Sequence, residues 1–225
     1  MLFLQSNWWD LLISLFAPRE SKWSTNWNQY LDEVTLRSSK PRIKLPDLEK
    51  NSVIYLNKIW VATDYSSKIM TDLIWQTKRG GQWAIANEMA DLIKITYDKF
   101  PLGIPSPSLI TWAPADPARL SQRGYHLPEL IAVKLASEMN TKTQELVTKN
   151  RSTKAQGELS RQERLNNLSK VFAPAGSINK QNLKVRTVWI VDDIVTTGTT
   201  LNEVAKVIKK QMPWARIYAV VLAGN

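Results

Sequence analysis

The segment from Thr187 to Thr200, TVWIVDDIVTTGTT, constrains the fold more than any other part of the chain. Val188 to Val191 is a continuous apolar run, β-branched apart from one tryptophan, which suits a strand covered on both faces in a parallel sheet. The polarity then flips, and Leu201, Val204, Ala205 and Ile208 recur at i, i+3, i+4 and i+7. That spacing predicts a helix from about Thr199, packed by one face on the sheet. Gly198 is the only glycine of the intervening turn and permits a positive φ or the close approach of a ligand. The free N–H groups and positive dipole end of the helix attract a phosphate, and the hydroxyls of Thr196, Thr197, Thr199 and Thr200 add donors. Asp192 and Asp193 fall at the carboxyl end of the expected strand, where open α/β sheets bind ligands. Carboxylates repel phosphate, so this pair suits sugar hydroxyls, or a magnesium ion that the ligand itself carries.

Two nucleotide-binding alternatives fail on the glycines. A hydrophobic strand ending in two aspartates also fits the second half of a P-loop site, but no Gly-x-x-x-x-Gly-Lys occurs among the eight glycines. Gly-x-Gly-x-x-Gly is absent as well. A purely structural strand, turn and helix has no need of two adjacent acids followed by four threonines. An apolar strand, two acids, a short apolar pair and Thr-Thr-Gly-x-Thr resembles the phosphoribosyl-diphosphate motif of type I phosphoribosyltransferases, and every position of that pattern is filled.

The rest of the chain limits the chemistry further. At 225 residues, 44% hydrophobic and 22% charged, it is long enough for one substantial domain plus an appendage. There is no cysteine, so disulfides, cysteine-ligated zinc and iron-sulfur sites are excluded. The single histidine, His126, leaves little material for a histidine metal cage or a Ser-His nucleophile, and is expected at the surface or in a loop. Lys and Arg outnumber Asp and Glu by 30 to 20, an excess that favours polyanionic partners without locating a binding face. Leu11 to Ala17 is too short to span a bilayer and follows Asp10 rather than a basic stretch, so a cytoplasmic protein without a transmembrane segment is expected.

Residues 1–60 form a Trp-, Ser- and Asn-rich segment in which Pro18, Pro41 and Pro46 break any long periodicity. Within it, Arg37 to Lys44 reads as a solvated loop or a flexible linker touching nucleic acid. Residues 61–225 form the second unit, in which a regular α/β rhythm is expected from Tyr65. Ile69, Leu73 and Ile74 mark a helix stopped by Gly80 and Gly81, and Trp83, Ala86, Ala90 and Ile93 mark another. Leu109 to Ala113 reads as a buried strand ending at Pro114, and the next helix opens near Pro128 with Leu127, Ile131, Leu135 and Met139 inward. Glu145 to Thr148 is expected as a short strand, Ser160 to Glu163 as a capping box, and Ile217 to Leu222 as the last strand. Strands alternating with helices imply a central, mainly parallel sheet flanked by helices, with an irregular N-terminal segment.

If the threonine turn holds a sugar 5-phosphate, a diphosphate belongs over the end of a neighbouring strand. Ala115, Asp116, Arg119 and Arg123, after the strand at Leu109, form that candidate loop. A second basic segment, Arg151 to Gln156 with Lys154, continuing to Arg161 and Arg164, is a candidate cover that excludes water from the reacting sugar.

Taken together these segments resemble the ComF/GntX-type phosphoribosyltransferase-like family linked to bacterial DNA uptake. The resemblance rests on Tyr65 with Lys78 and Gly80, Arg123-Gly124-Tyr125 with Glu129-Leu130, Arg151 with Gln156 to Leu159, Arg164 with Asn167, and Phe172. It covers roughly Tyr65 to Ala223. Family members commonly carry a cysteine-rich zinc module after a Pro-Arg like Pro18-Arg19, and the residues that follow here offer no thiolates, so no zinc is expected.

The resemblance implies a type I phosphoribosyltransferase-like α/β fold and binding of phosphoribosyl diphosphate with magnesium. In that arrangement the ligand carries the magnesium, with no direct protein ligation. Asp192 and Asp193 would meet the ribose hydroxyls, Thr196 to Thr200 the 5-phosphate, and Arg123, with Ala115, Arg119 and Lys154, the diphosphate. It implies transfer of a phosphoribosyl group to an unidentified, nucleobase-like acceptor. The alternative of another class is a non-catalytic protein that assists single-stranded DNA, or the DNA-uptake machinery, during natural transformation. A ligand-sensing regulator ranks third, because no DNA-reading helix is recognisable.

Overall fold

The computed structural model describes residues 41–48, 50, 52–65, 68–80, 85–150, 171–176 and 184–224. By contacts the chain divides into two units, Met1–Ser38 and Ser39–Asn225, and all described residues lie in the second. Its elements in order are β1 (Arg42–Lys44), β2 (Lys58–Asp64), α1 (Lys68–Gly80), α2 (Ile85–Lys99), β3 (Leu109–Trp112), α3 (Pro117–Arg123), α4 (Leu127–Glu138), β4 (Lys142–Thr143), β5 (Val147–Lys149), β6 (Phe172–Pro174), β7 (Thr187–Val195), α5 (Thr199–Gln211) and β8 (Arg216–Gly224). A six-stranded sheet runs in the order β1-β2-β8-β7-β3-β4, and β5 and β6 form a separate antiparallel pair. Only β1 in the large sheet is antiparallel to its neighbour.

The centre of the sheet is apolar because both its faces are covered. Val188 to Val191 are fully buried, and β8 is buried from Ile217 to Gly224. Leu201, Val204, Ala205 and Ile208 of α5 close one face, as their spacing predicts. On the other face Tyr97 of α2 stands edge-on to Trp189, ring centroids 4.7 Å apart, and to Trp60 at 6.1 Å. Each indole is satisfied as well as buried: Trp60 Nε1 donates to the Phe100 carbonyl and Trp189 Nε1 to that of Pro105, both at 3.0 Å. An apolar ring with a bonded polar edge is the arrangement in which a tryptophan stabilises a core most.

In its strands the structure departs from the sequence expectations in four places. Arg42–Lys44 is a strand on the sheet edge rather than a loop, held in register by Ile59 to Val61. The α/β rhythm starts at β2, not at Tyr65, because Ile59 to Thr63 are buried between β1 and the parallel partner β8. The short strand expected at Glu145 to Thr148 lies at Val147–Lys149 and stands outside the large sheet. Strand β7 runs through the two aspartates to Val195, because β8 pairs with it as far as Gly224. The Ser160 to Glu163 capping box and Trp83 lie outside the described residues. No helix among the described residues is long and apolar enough to cross a membrane.

Candidate functional site

At the carboxyl ends of β3 and β7 the chain encloses a cavity of about 210 Å³. One wall is Asp192, Asp193 and Thr200. Ala113 to Asp116, beside them on the neighbouring strand's end, line the cavity with Arg119, Leu120 and Arg123, and Lys78, Tyr125 to Pro128 and Lys149 complete it. The sequence candidates Ala115, Arg119, Arg123, Asp192, Asp193 and Thr200 are thus brought together around one space. Thr196, Thr197, Gly198 and Thr199 stand beside it on the turn rather than in its wall. Lys154 and the Arg151, Arg161 and Arg164 segment lie outside the described residues.

The strand pleat gives the two aspartates different surroundings. Asp193 is 9% exposed, and its carboxylate meets the ammonium of Lys78 at 2.5 Å. Asp192 accepts a hydrogen bond from the Asp193 N–H at 2.9 Å. Desolvation, and then the neighbouring charge of Asp193, push the Asp192 carboxyl well above its ordinary 3.8. Oxygen donors of this kind fit a hard cation that arrives with its own oxygen ligands. Among the described residues no group of three or more His, Cys, Asp or Glu converges to hold a metal alone.

The turn after β7 is built by its glycine. Gly198 has φ 80° and precedes the first turn of α5. A Cβ there would stand 2.8 Å from Ile59 Cδ1 and 3.3 Å from Pro46 Cα, so both the dihedral and the space demand glycine. Thr196, Thr197 and Thr200 are exposed around it, and the Thr197 and Thr199 hydroxyls are 2.9 Å apart.

After β3 the expected loop is largely a helix. Asp116 caps α3 by accepting the Ala118 N–H at 3.1 Å, and Gly124, φ 74°, ends it with its N–H on the Leu120 carbonyl. The cause is local: an Asp-Pro start and a glycine stop are strong helix punctuation. Arg119 and Arg123 therefore stand one helical turn apart, both exposed, on one side of the cavity. Asp116 would repel a diphosphate, but Lys149 at the end of β5 neutralises it at 3.0 Å.

Three residues of the site escaped the sequence reading of its chemistry. Lys78 was legible only as part of a family resemblance, and Lys149 had no local signal. His126 lies in a loop, as expected, ahead of α4, where it is a half-buried part of the cavity lining. Burial, with help from Arg123 and Lys78 and against the pull of Asp193, lowers its pKa to about 4. Beside it the Tyr125 hydroxyl is buried without a hydrogen-bond partner.

Residues 129–225 match the model of the phosphoribosyl transferase domain. The chain is 32% identical over 105 residues to competence protein F of Haemophilus influenzae, covering 46% of this chain and 45% of that protein. It is 27% identical over 154 residues to the DNA utilization protein YhgH of Escherichia coli, covering 67% of this chain and 65% of that protein. The chain thus spans between about half and two thirds of the length of these relatives. An adenine phosphoribosyltransferase crystal structure aligns over 86% of this chain and 89% of its own at 16% identity, with a TM-score of 0.38.

The mainly parallel sheet and the matched domain define a protein with the type I phosphoribosyltransferase-like fold. Within that class, the chain is similar to competence protein F and to the DNA utilization protein YhgH.

Proposed function

We propose that the chain binds phosphoribosyl diphosphate and transfers its phosphoribosyl group to a nucleobase-like acceptor. The observation that carries this reading is that Asp192, Asp193 and Thr200 line one cavity together with Arg119 and Arg123. The carboxylates accept from the ribose hydroxyls. The turn of Thr196 to Thr200 takes the 5-phosphate on the N–H groups that open α5, and Arg119 and Arg123 take the diphosphate by charge-assisted bonds. A magnesium ion carried by the donor would neutralise diphosphate charge as it departs. The acceptor nitrogen forms a bond to the anomeric carbon as the bond to diphosphate breaks. The bonding pair leaves on diphosphate, and the acceptor's N–H proton passes to it or to water. No side chain acts as a nucleophile, so the protein's part is position and electrostatics.

Calorimetry with the donor and magnesium tests the reading. Binding by the native chain that is lost in Asp193→Asn is expected. No binding by the native chain, or equal binding by the variant, refutes it. Release of diphosphate across a panel of nucleobases then identifies the acceptor.

A second reading, handling of single-stranded nucleic acid, is favoured by a separate feature at the opposite end of the sheet. Lys184, Arg186, Lys210 and Arg216 are exposed around the amino ends of β7 and β8. The Arg216 N–H binds the Arg186 carbonyl at 2.8 Å, and Trp214 Nε1 binds that of Val185 at 3.1 Å. Trp214 itself is 40% exposed, which sets a flat aromatic ring among cations. Cations that track a backbone, with a ring on which bases stack, suit a single strand. The name of the Escherichia coli relative, DNA utilization protein, points the same way. Affinity for an oligo-dT strand that falls steeply with salt, weakens in Trp214→Ala and survives Asp193→Asn supports this reading. Affinity indifferent to Trp214 removes it.

A further inference from the structure

The peptide groups of the phosphate turn are held from outside, by the end of β1 and the segment that follows it. Lys44 Nζ donates to the Thr196 carbonyl. The Asp47 N–H donates to the Thr197 carbonyl at 2.7 Å. Between them Pro46, buried, packs against Gly198, with its Cα 3.3 Å from where a Cβ of that glycine would stand. The next stretch is tied to the helix behind the turn. Asn202, 3% exposed, donates from Nδ2 to the Val53 carbonyl at 3.0 Å and accepts the Tyr55 N–H on Oδ1 at 2.8 Å.

These contacts have a directional consequence. In a trans peptide the carbonyl of one residue and the N–H of the next point opposite ways, and none of the described peptide bonds is cis. Drawing the Thr196 and Thr197 carbonyls toward residues 44–47 therefore turns the N–H groups of Thr197 and Gly198 away from that segment. Pro46, with Ile59, closes the space beside Gly198, the most permissive residue of the turn. A turn free to rotate would have to be ordered by its ligand at the expense of affinity, and this one is ordered beforehand.

We propose that Lys44, Pro46 and Asp47 are positioning residues for the phosphate turn: they fix its peptide planes so that a ligand's monophosphate meets N–H groups already aimed at it. This rests on the reading of Thr196 to Thr200 as a phosphate site. It adds that the site's preorganisation comes from a stretch some 150 residues away in sequence, as the separation of 152 between Lys44 and Thr196 records.

Calorimetry with ribose 5-phosphate and, separately, inorganic diphosphate tests it on Lys44→Met, Pro46→Gly and Lys44→Arg. Lys44→Met and Pro46→Gly should each weaken ribose 5-phosphate by about tenfold through lost preorganisation. Both should leave diphosphate unchanged, and Lys44→Arg should retain native affinity. Parallel loss of both ligands with a lower melting temperature would mean a merely structural segment and overturns the proposal. An effect of Lys44→Met without one of Pro46→Gly would make Lys44 a simple counter-charge, and overturns it too. If the native chain binds diphosphate but not ribose 5-phosphate, the phosphate-site reading itself fails.

Discussion

The ammonium of Lys78 lies 2.5 Å from the carboxylate of Asp193, bringing the end of α1 onto the last third of β7. The pair leaves Asp192 as the carboxyl whose charge is least compensated. Lys78 also lines the cavity together with three other cations, Arg119, Arg123 and Lys149. Against them stand Asp116, Asp192 and Asp193, of which Asp116 and Asp193 are paired with lysines, so an anionic ligand enters a space where cations outnumber acids.

Asp192 stores a stability penalty that substitution should release. Its carboxyl is held above its ordinary 3.8, so the folded chain binds this proton more tightly than the unfolded one. The contribution is fully favourable below that ordinary value and is lost as pH rises through the raised folded value. Asp192→Asn should therefore melt no lower than the native chain at pH 7 and show a flatter pH profile, while losing affinity for the donor. Thermal melts across pH check this, and a variant clearly less stable at pH 7 contradicts it.

His126 is a built-in probe of the cavity because the chain has no other histidine. Proton NMR should place its titration near the lowered value of about 4. Its depressed pKa means that the associated stability is present above the ordinary 6.5 and is lost as pH falls toward 4. Adding diphosphate should raise the midpoint, because the anion offsets Arg123 and Lys78, two of the causes that lower it. A midpoint near 6.5 with no response to diphosphate would be incompatible with the site as described.

Gly198→Ala should combine backbone strain with a steric clash. A left-handed non-glycine residue costs about 1–3 kcal/mol, and the new Cβ meets Ile59 Cδ1 at 2.8 Å. Adding Ile59→Val removes that Cδ1 atom but not the φ of 80°, so chemical denaturation should show partial recovery only. Full recovery would mean that the dihedral carries no cost here.

Lys149 should matter to diphosphate through Asp116. Lys149→Met takes from the Asp116 carboxylate, in the lining of the cavity, the ammonium that stands 3.0 Å from it in the native pair. Diphosphate affinity should fall by about tenfold, and Asp116→Asn in the same chain should restore most of it, a coupling that a double-mutant cycle measures. Additive losses would show that Lys149 binds the ligand directly.

The strand, turn and helix of the site were legible in the sequence because they are contiguous in it. Val188 to Thr200 states a buried strand, a glycine turn and an amphipathic helix by local periodicity alone, and the structure places all three there. The helix at Pro117 was missed although its signals are local, because Arg119 and Arg123 were read for charge and not for the Asp116 cap and Gly124 stop around them. Strand β2 was missed for a different reason. KIWVATD follows an irregular, proline-broken stretch, and its seven residues become a strand by pairing with β8, more than 150 residues later.

By itself, the sequence determined the strand-turn-helix part of the candidate site: which residues form the turn, which acids precede it, and that the sheet around them is parallel. These follow from propensity and spacing, which act over a few residues. Only the tertiary structure decided that Lys78 faces Asp193, that Lys149 neutralises Asp116, that His126 lines the cavity, and that Lys44 to Asp47 hold the peptide planes of the turn. A lysine's charge is the same on a solvated face as in a cavity wall. What it does depends on which chain segments the sheet order brings beside it, and that order is set by burial over the whole domain.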